Sequence, residues 1–328
     1  MKILILSHEE VTRLLPMNEC IAVMREALIA LASGKAFQPL RTIHRPPDAK
    51  GAIGLMPAYI SGDHAGFGLK AVCVFPGNPG LGKDSHQGGV LLFSAETGEL
   101  QAVMNASAIT AIRTAAVSGV ATDLLARPDA SDFAIIGSGV QARTHLLAIS
   151  QVRSINRCRI ASRRVEHAQK FADEMKQKVS FPLEQVDTVE EAVNGADLIV
   201  TATSSREPIV KREWISPGAH LNVVGSSFAG AREVDSETMA SASLFVDRRE
   251  STLNEAGDYL FPAREGLIGP EHIRAELGEI LVGERTGRSS PNEITLFKSL
   301  GLAIEDLAAA DFLCRKASTL KSGTWVEF

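Results

Sequence analysis

No basic block occurs anywhere in the 328 residues and the formal charge is -5, so the electrostatic footprint of a nucleic-acid binder is missing. Long apolar runs are missing too. None reaches the roughly 18 to 20 residues that span a bilayer, and residues 1–6 are too few for the core of a signal peptide. These absences predict a cytoplasmic protein with neither a membrane nor a nucleic acid as partner. Only four cysteines occur (Cys20, Cys73, Cys158 and Cys314), with no C-x-x-C pair and no histidine at metal-ligand spacing; they read as buried small hydrophobes. The eight histidines form no H-E-x-x-H arrangement, so no metal site is expected. A G-x-S-x-G hydrolase elbow is absent, as are repeats and low-complexity tracts.

What is there is a globular balance of 45% hydrophobic and 22% charged residues. The length exceeds the ~250 to 300 residues at which a single core stops growing, so two domains are the default. After a short strand at 3–6, Ser7 and Glu10 read as a capping box, and Pro16 starts a longer helix with apolar positions Cys20, Met24, Ala27, Leu28 and Leu31. Short β-like runs follow over 41–74, broken by Pro46-Pro47, Gly51, Pro57 and Gly62, which points to a small α+β domain. Ser85-His86-Gln87-Gly88 leads into an apolar strand at 90–93, and Thr97-Gly98 turns it into the next. An alanine-rich helix over 108–126 carries one conspicuous charge, Arg113, which by composition alone is a snorkelling or salt-bridged residue more often than a ligand anchor.

The most informative stretch is SDFAIIGSGVQARTHLLA at 131–148. A strand runs without a spacer into Gly137-Ser138-Gly139-Val140-Gln141-Ala142, and an amphipathic helix follows at once. That is the dinucleotide fingerprint G-x-G-x-x-A in its required context: a tight turn at Gly137, close backbone approach at Gly139, helix packing at Ala142 and phosphates at the helix N-terminus. Further strands at 158–162, 183–186, 198–202, 221–225 and 244–247 alternate with helices, implying a parallel, doubly wound Rossmann sheet of the α/β class. Ligands in such sheets bind beyond the carboxyl ends of the strands, where Thr203, Gly225, Ser226 and Ser227 fall. The segment 264–288 carries no readable role, and a last strand at 294–297 leads into an apolar helix over 302–315 that returns to the first domain.

The end of the second Rossmann strand decides the cofactor. An NAD site usually places Asp or Glu there; this chain has Ser162-Arg163-Arg164. Two guanidinium groups and a hydroxyl suit a 2′-phosphate, which predicts NADPH over a weaker NADH. The plainer reading, that Arg163 and Arg164 merely open the next helix, runs against the helix dipole.

The chain resembles the ornithine cyclodeaminase and mu-crystallin family over nearly its whole length. The resemblance rests on PLRT (39–42), LMPAY (55–59), GLK (68–70), FPGNP (75–79), HQG (86–88), AIRTAA (111–116), GSGVQA (137–142) and SLGLAIEDLAAA (299–310). It implies a homodimer in which a small domain built from both termini (1–115 with 302–328) supplies the dimer interface and substrate pocket, and a Rossmann domain (116–301) closes over it. It also implies that Arg41, Lys70 and Arg113 hold the substrate carboxylate, which recasts Arg113 as a ligand anchor. Cyclodeaminases carry an acid just before Leu-Met-Pro and an aspartate after the fifth Rossmann strand; the matching residues are Gly54 and Ser227. Without those carboxylates the chain looks more like mu-crystallin and the ketimine reductases. The same departure counts against alanine dehydrogenase.

The expected activity is therefore NADPH-dependent reduction of small cyclic ketimine carboxylates, Δ1-pyrroline-2-carboxylate to L-proline and Δ1-piperideine-2-carboxylate to L-pipecolate. The rivals are a cyclodeaminase that uses NAD and releases ammonia, and a non-catalytic binder of NADPH and a small ligand. A positive cluster discourages a second charge on the imine, so a neighbouring group must deliver the proton late. Lys70 is the first candidate and His86 the second, although His86 reads equally well as a hydrogen-bonded loop residue. Ser227 is the third residue placed at the chemistry.

Overall fold

Ser7 ends the first strand and starts the first helix of the computed structural model, which describes residues 2–328. Its hydroxyl accepts from the Glu10 N–H at 3.3 Å while the Glu10 carboxylate accepts from the Ser7 N–H at 2.9 Å, so two otherwise orphaned donors are satisfied reciprocally. Strand β1 (Lys2–Leu6) thus passes into α1 (His8–Leu14), and Pro16 opens α2 (Met17–Ala32) with Cys20, Met24, Ala27 and Leu28 buried along one stripe. Two short strands, β2 (Ala36–Phe37) and β3 (Thr42–His44), precede an antiparallel meander of β4 (Ala52–Ile60), β5 (Gly66–Val74), β6 (His86–Ser94) and β7 (Leu100–Asn105).

Two expectations change here. Pro57 does not break a strand: it lies inside β4, between the residues paired with β3 (Ile53, Gly54, Leu55) and those paired with β2 (Tyr59, Ile60). Its missing N–H interrupts no ladder on that side. His86, Gln87 and Gly88 do not precede β6 but begin it, opposite Val74, Cys73 and Val72.

Helix α3 (Ala106–Leu125) follows. It is long and apolar enough to cross a membrane, which corrects the reading that no run has that length, and 83% of its most apolar window is buried inside the protein. The chain divides into two compact units, and the boundary falls within this helix. One unit runs to Arg113 and resumes at Gly301; the other is Thr114–Leu300.

In the second unit, strand and helix alternate through β8 (Asp132–Ile136), α4 (Val140–Val152), β9 (Arg157–Ala161), α5 (Val165–Met175), β10 (Leu183–Gln185), α6 (Val189–Val193), β11 (Leu198–Thr201), β12 (His220–Val223), α7 (Ser236–Ser241), β13 (Ser243–Val246), α8 (Arg249–Glu255), α9 (Gly257–Arg264), β14 (Ile273–Glu276), α10 (Leu277–Leu281) and β15 (Thr295–Lys298). The strands pair in parallel in the order β10-β9-β8-β11-β12-β15-β13-β14. That is the Rossmann order through its first five strands, with β15 inserted between β12 and β13. The stretch without a readable role supplies β14 as an added edge strand and α10. Its central strands are buried on both faces, which is why they read as continuous apolar runs.

The first unit is completed by α11 (Ala303–Leu320) and β16 (Thr324–Glu327), a strand the sequence pattern does not announce. Its sheet runs β16-β1-β7-β6-β5-β4-β2, with β3 also on β4, and α11 lies across β4, β5 and β6. The strands under α11 are inside out relative to their hydrophobicity. Ala52, Gly54, Met56 and Ala58 of β4 and Gly66, Gly68, Lys70 and Val72 of β5 face the helix, while Ile53, Pro57 and Phe67 are exposed on the other side. Small residues win the helix side because α11 comes so close: a Cβ on Gly68 would stand 2.9 Å from Leu307 Cδ1. Of the cysteines, Cys20 and Cys158 are buried as expected, whereas Cys73 and Cys314 are half-exposed.

Candidate active site

Strand register sets Lys70 in an otherwise apolar row: Met56 pairs with Lys70, Lys70 with Val90, Val90 with Met104, and Met104 with Leu6. Paired residues point to one face, and Lys70 is only 3% exposed there. An ammonium in that setting needs a partner, because burying an unpaired charge costs several kcal/mol. The partner comes from the first turn of α11: Asp306 Oδ2 lies 2.6 Å from Lys70 Nζ. The other oxygen of the same carboxylate accepts from Arg113 Nε at 3.0 Å, and Glu305 Oε2 accepts from Arg113 Nη1 at 2.7 Å. All four side chains are buried. Gly301, at φ +79°, is the hinge that allows this. It takes a left-handed conformation, and any side chain there would collide with the Arg113 guanidinium.

Arg113 is therefore neither a snorkelling surface residue nor a bare cation. Lys70 and Arg113 face two carboxylates, so the cluster is internally neutral rather than a patch of positive charge. Burial first lowers the Lys70 pKa to about 8; the Asp306 charge works against that shift and the Arg113 charge with it. Desolvation, more than neighbouring cations, makes this lysine a ready proton donor.

His86 opens β6 on the same face as Val90 and Leu92, with Nδ1 3.1 Å from Ser85 Oγ. Its ring keeps contact with solvent, yet partial desolvation and then Lys70 and Arg113 hold its pKa below the ordinary imidazole value. Both readings of His86 thus have a counterpart: it is a loop-edge histidine and it stands in the field of the cluster. Arg41, half-buried, precedes β3. The next residue, Thr42, pairs with Leu55 of β4.

In the second unit, β8 delivers Gly137, Ser138 and Gly139 to the N-terminus of α4. Gly137 has φ +120° and packs against the end of β11, where a Cβ would strike the Ala202 carbonyl. A Cβ on Gly139 would meet nothing within 4 Å, so this helix N-terminus is open to a close approach. Val140 is exposed, Ala142 is fully buried against the sheet, and the buried Gln141 Oε1 has no hydrogen-bond partner among the described residues. These features fit a dinucleotide pyrophosphate. Ser138 Oγ and Ser162 Oγ share a hydrogen bond of 3.0 Å, which ties the turn to the end of β9. Arg163 and Arg164 follow, exposed, with Arg164 at the N-cap of α5. They do open the next helix, and among the described residues their guanidinium groups have no hydrogen-bond or ion-pair partner.

The remaining predicted contacts sort differently. Thr203 N and Oγ1 both donate to Glu233 Oε1 at 2.7 Å, and Gly225 N donates to Glu233 Oε2 at 2.7 Å, so both are engaged by the protein itself. Ser226 is a correction. It is 1% exposed and its hydroxyl donates to the Ala231 carbonyl, so its side chain faces the interior rather than a ligand. Ser227 is exposed in the segment after β12. Sequence reasoning missed Glu305, Asp306 and Glu233. The first two sit in the first turn of a helix, where acids are ordinary, and only their burial marks them. Among the described residues no group of His, Cys, Asp and Glu could hold a metal.

Residues 1–321 match the model of the ornithine cyclodeaminase/mu-crystallin family. The chain is 41% identical over 309 residues to the ketimine reductase mu-crystallin of Mus musculus, covering 93% of this chain and 94% of the mouse protein. It superimposes with a TM-score of 0.95 and 42% identity on Thermococcus litoralis Δ1-pyrroline-2-carboxylate reductase in complex with NADH and L-proline, over 98% of this chain and 99% of that one. An archaeal alanine dehydrogenase dimer with bound NAD superimposes at 0.94 with 36% identity, over the whole of both chains.

Proposed function

The chain belongs to the ornithine cyclodeaminase/mu-crystallin family, and on that premise we propose that it reduces small cyclic ketimine carboxylates with NADPH. The observation that carries this reading is the buried group of Lys70, Arg113, Asp306 and Glu305, with Gly54 and Ser227 at the positions where deamination calls for acids. Arg41, Lys70 and Arg113 bind the substrate carboxylate. Lys70 has three N–H donors and Asp306 takes one. With its pKa lowered to about 8 it is protonated at neutral pH and gives its proton to the ring nitrogen at little cost. His86 is the second donor. When bound, the reduced nicotinamide supplies the hydride that the imine carbon accepts. Gly137 to Ala142 would hold its pyrophosphate, and Arg163 and Arg164 the 2′-phosphate that distinguishes NADPH, although the Thermococcus structure holds NADH.

The second partner is a copy of the same chain. The face of the β4–β5–β6 sheet away from α11 exposes Ile53, Pro57 and Phe67, with Tyr59 and Phe67 rings 4.7 Å apart between their centroids, and apolar patches of this kind mark protein interfaces. The alanine dehydrogenase neighbour is a dimer.

The test follows NADPH absorbance with Δ1-pyrroline-2-carboxylate and ammonia release from L-ornithine with NAD, on the same purified protein. NADPH oxidation without ammonia is the expected outcome. Stoichiometric ammonia with proline formed and no net cofactor change would transfer the assignment to the cyclodeaminases.

A further inference from the structure

Glu233 lies in an irregular segment before α7, yet it is 0% exposed and touches the ends of two sheet strands at once. Oε2 accepts from Thr201 Oγ1 at 2.8 Å and from Gly225 N at 2.7 Å; Oε1 accepts from Thr203 N and Thr203 Oγ1, both at 2.7 Å. Each oxygen thus accepts one backbone N–H and meets one threonine hydroxyl, a group that can either donate or accept. Burial, and then the neighbouring Asp258 charge, raise its pKa. Its backbone is fixed as firmly. The Glu233 carbonyl accepts from Ile209 N and Val210 N, and the Glu233 N–H donates to Asp258 Oδ1 at 2.7 Å. Asp258 in turn pairs with Lys298 at 2.9 Å, and both are fully buried. Lys298 also donates to the carbonyls of Val223 and Ser226, one on β12 and one in the segment after it.

We propose that Glu233 is the positioning residue of the nicotinamide dinucleotide site: its carboxylate clamps the segments leaving β11 and β12 (202–205 and 225–227) into the shape that receives the cofactor. The inference rests on the reading of this unit as a dinucleotide site. Ligands of parallel sheets bind beyond the carboxyl ends of the strands, and the ends of β11 and β12 are those that Glu233 joins. Glu233 itself is sealed from any ligand, so it acts through Thr203 and Gly225 and not by contact.

The test compares wild type, Glu233→Gln and Thr201→Val. Amide hydrogen exchange without cofactor reads the clamp, and fluorescence titration with NADPH in the absence of substrate reads its consequence. Glu233→Gln keeps the shape but replaces an acceptor by an NH2 group. The Thr203 and Gly225 amides should exchange faster while β8 stays protected, and the NADPH dissociation constant should rise about tenfold, the order of one lost hydrogen bond. Thr201 is fully buried, so Thr201→Val removes one bond to the carboxylate without touching a ligand; it should give the same change at smaller size, and it decides the matter if Glu233→Gln does not fold. Variants that fold and bind NADPH within twofold of wild type would overturn the proposal alone. A wild-type protein that binds neither NADPH nor NADH would overturn the dinucleotide reading and the proposal with it.

Discussion

Asp306 holds Lys70 and Arg113 with one carboxylate, Oδ2 to the ammonium at 2.6 Å and Oδ1 to Nε at 3.0 Å. It is the strongest influence keeping a proton on a lysine whose surroundings favour losing it. In the reductase proposed here, Lys70 is competent as a donor while protonated, so turnover should be full below its pKa and fall as pH rises through about 8. Asp306→Asn should move that alkaline limb to lower pH by roughly one unit, since the opposing charge is gone. The pH profile of kcat for the two proteins checks this; superimposable limbs would remove Lys70 from the proton transfer.

Arg113→Ala breaks the buried pair with Glu305 by removing one partner, a change that costs about 3 to 5 kcal/mol. The single variant should therefore melt well below wild type. Arg113→Met combined with Glu305→Gln removes both charges and should recover most of the Tm while the KM for the imino acid stays raised at least tenfold. A double variant with wild-type KM would show that Arg113 serves the fold and not the substrate carboxylate.

Arg163→Ala with Arg164→Ala should weaken NADPH binding by a few kcal/mol, at about 1.5 to 3 for each charged hydrogen bond, and leave NADH nearly unchanged. Both guanidinium groups are exposed, so stability should not move. Equal or better use of NADH by the wild type would contradict the preference.

Ser227→Ala should retain measurable reductase activity, because a substrate whose nitrogen already lies in a ring needs no carboxylate at that position. Complete loss in a folded variant, measured with NADPH and the cyclic imine, would make the hydroxyl indispensable.

His145 and His220 are buried and neutral, with pKa values lowered to about 4 and about 3, mainly by desolvation. Both take up protons in the unfolded chain near the ordinary imidazole value of about 6.5 before they do so in the native protein. Stability should be complete above that pH and fall as pH drops from 6.5 toward 4, by up to a few kcal/mol for each group. Tm measured across that window should decline, and His145→Gln should flatten part of the slope if its contacts to Ser118 Oγ and Gln141 O survive.

The Rossmann half of the fold class was legible because its strands are buried on both faces and its fingerprint couples three glycine or alanine constraints to one strand–turn–helix junction. The first sheet was less so. In β5 the bulky Phe67 and Leu69 mark the face that α11 does not cover, and Gly66, Gly68 and Lys70 mark the one it does, the reverse of what hydrophobicity suggests. Periodicity shows that two faces differ, not which is packed by a close helix. The acids at 305 and 306 were equally opaque: a carboxylate in a helix's first turn looks like a dipole partner until its burial is known. Ser226 failed for the opposite reason, since a serine just beyond the carboxyl end of a sheet strand reads as a ligand contact even when its hydroxyl turns inward.

The two arms of the central ion pairs are far apart in the chain: Glu305 and Asp306 follow Arg113 by 192 and 193 residues. During synthesis strands β1 to β7 and the start of α3 leave the ribosome before the two carboxylates that face Lys70 and Arg113 in the folded protein. The whole second unit is translated before α11 supplies the acids. Sealing of the Lys70 row must therefore be a late event in biogenesis. A polypeptide released before α11 would lack both acids, and the row could not close over its cations.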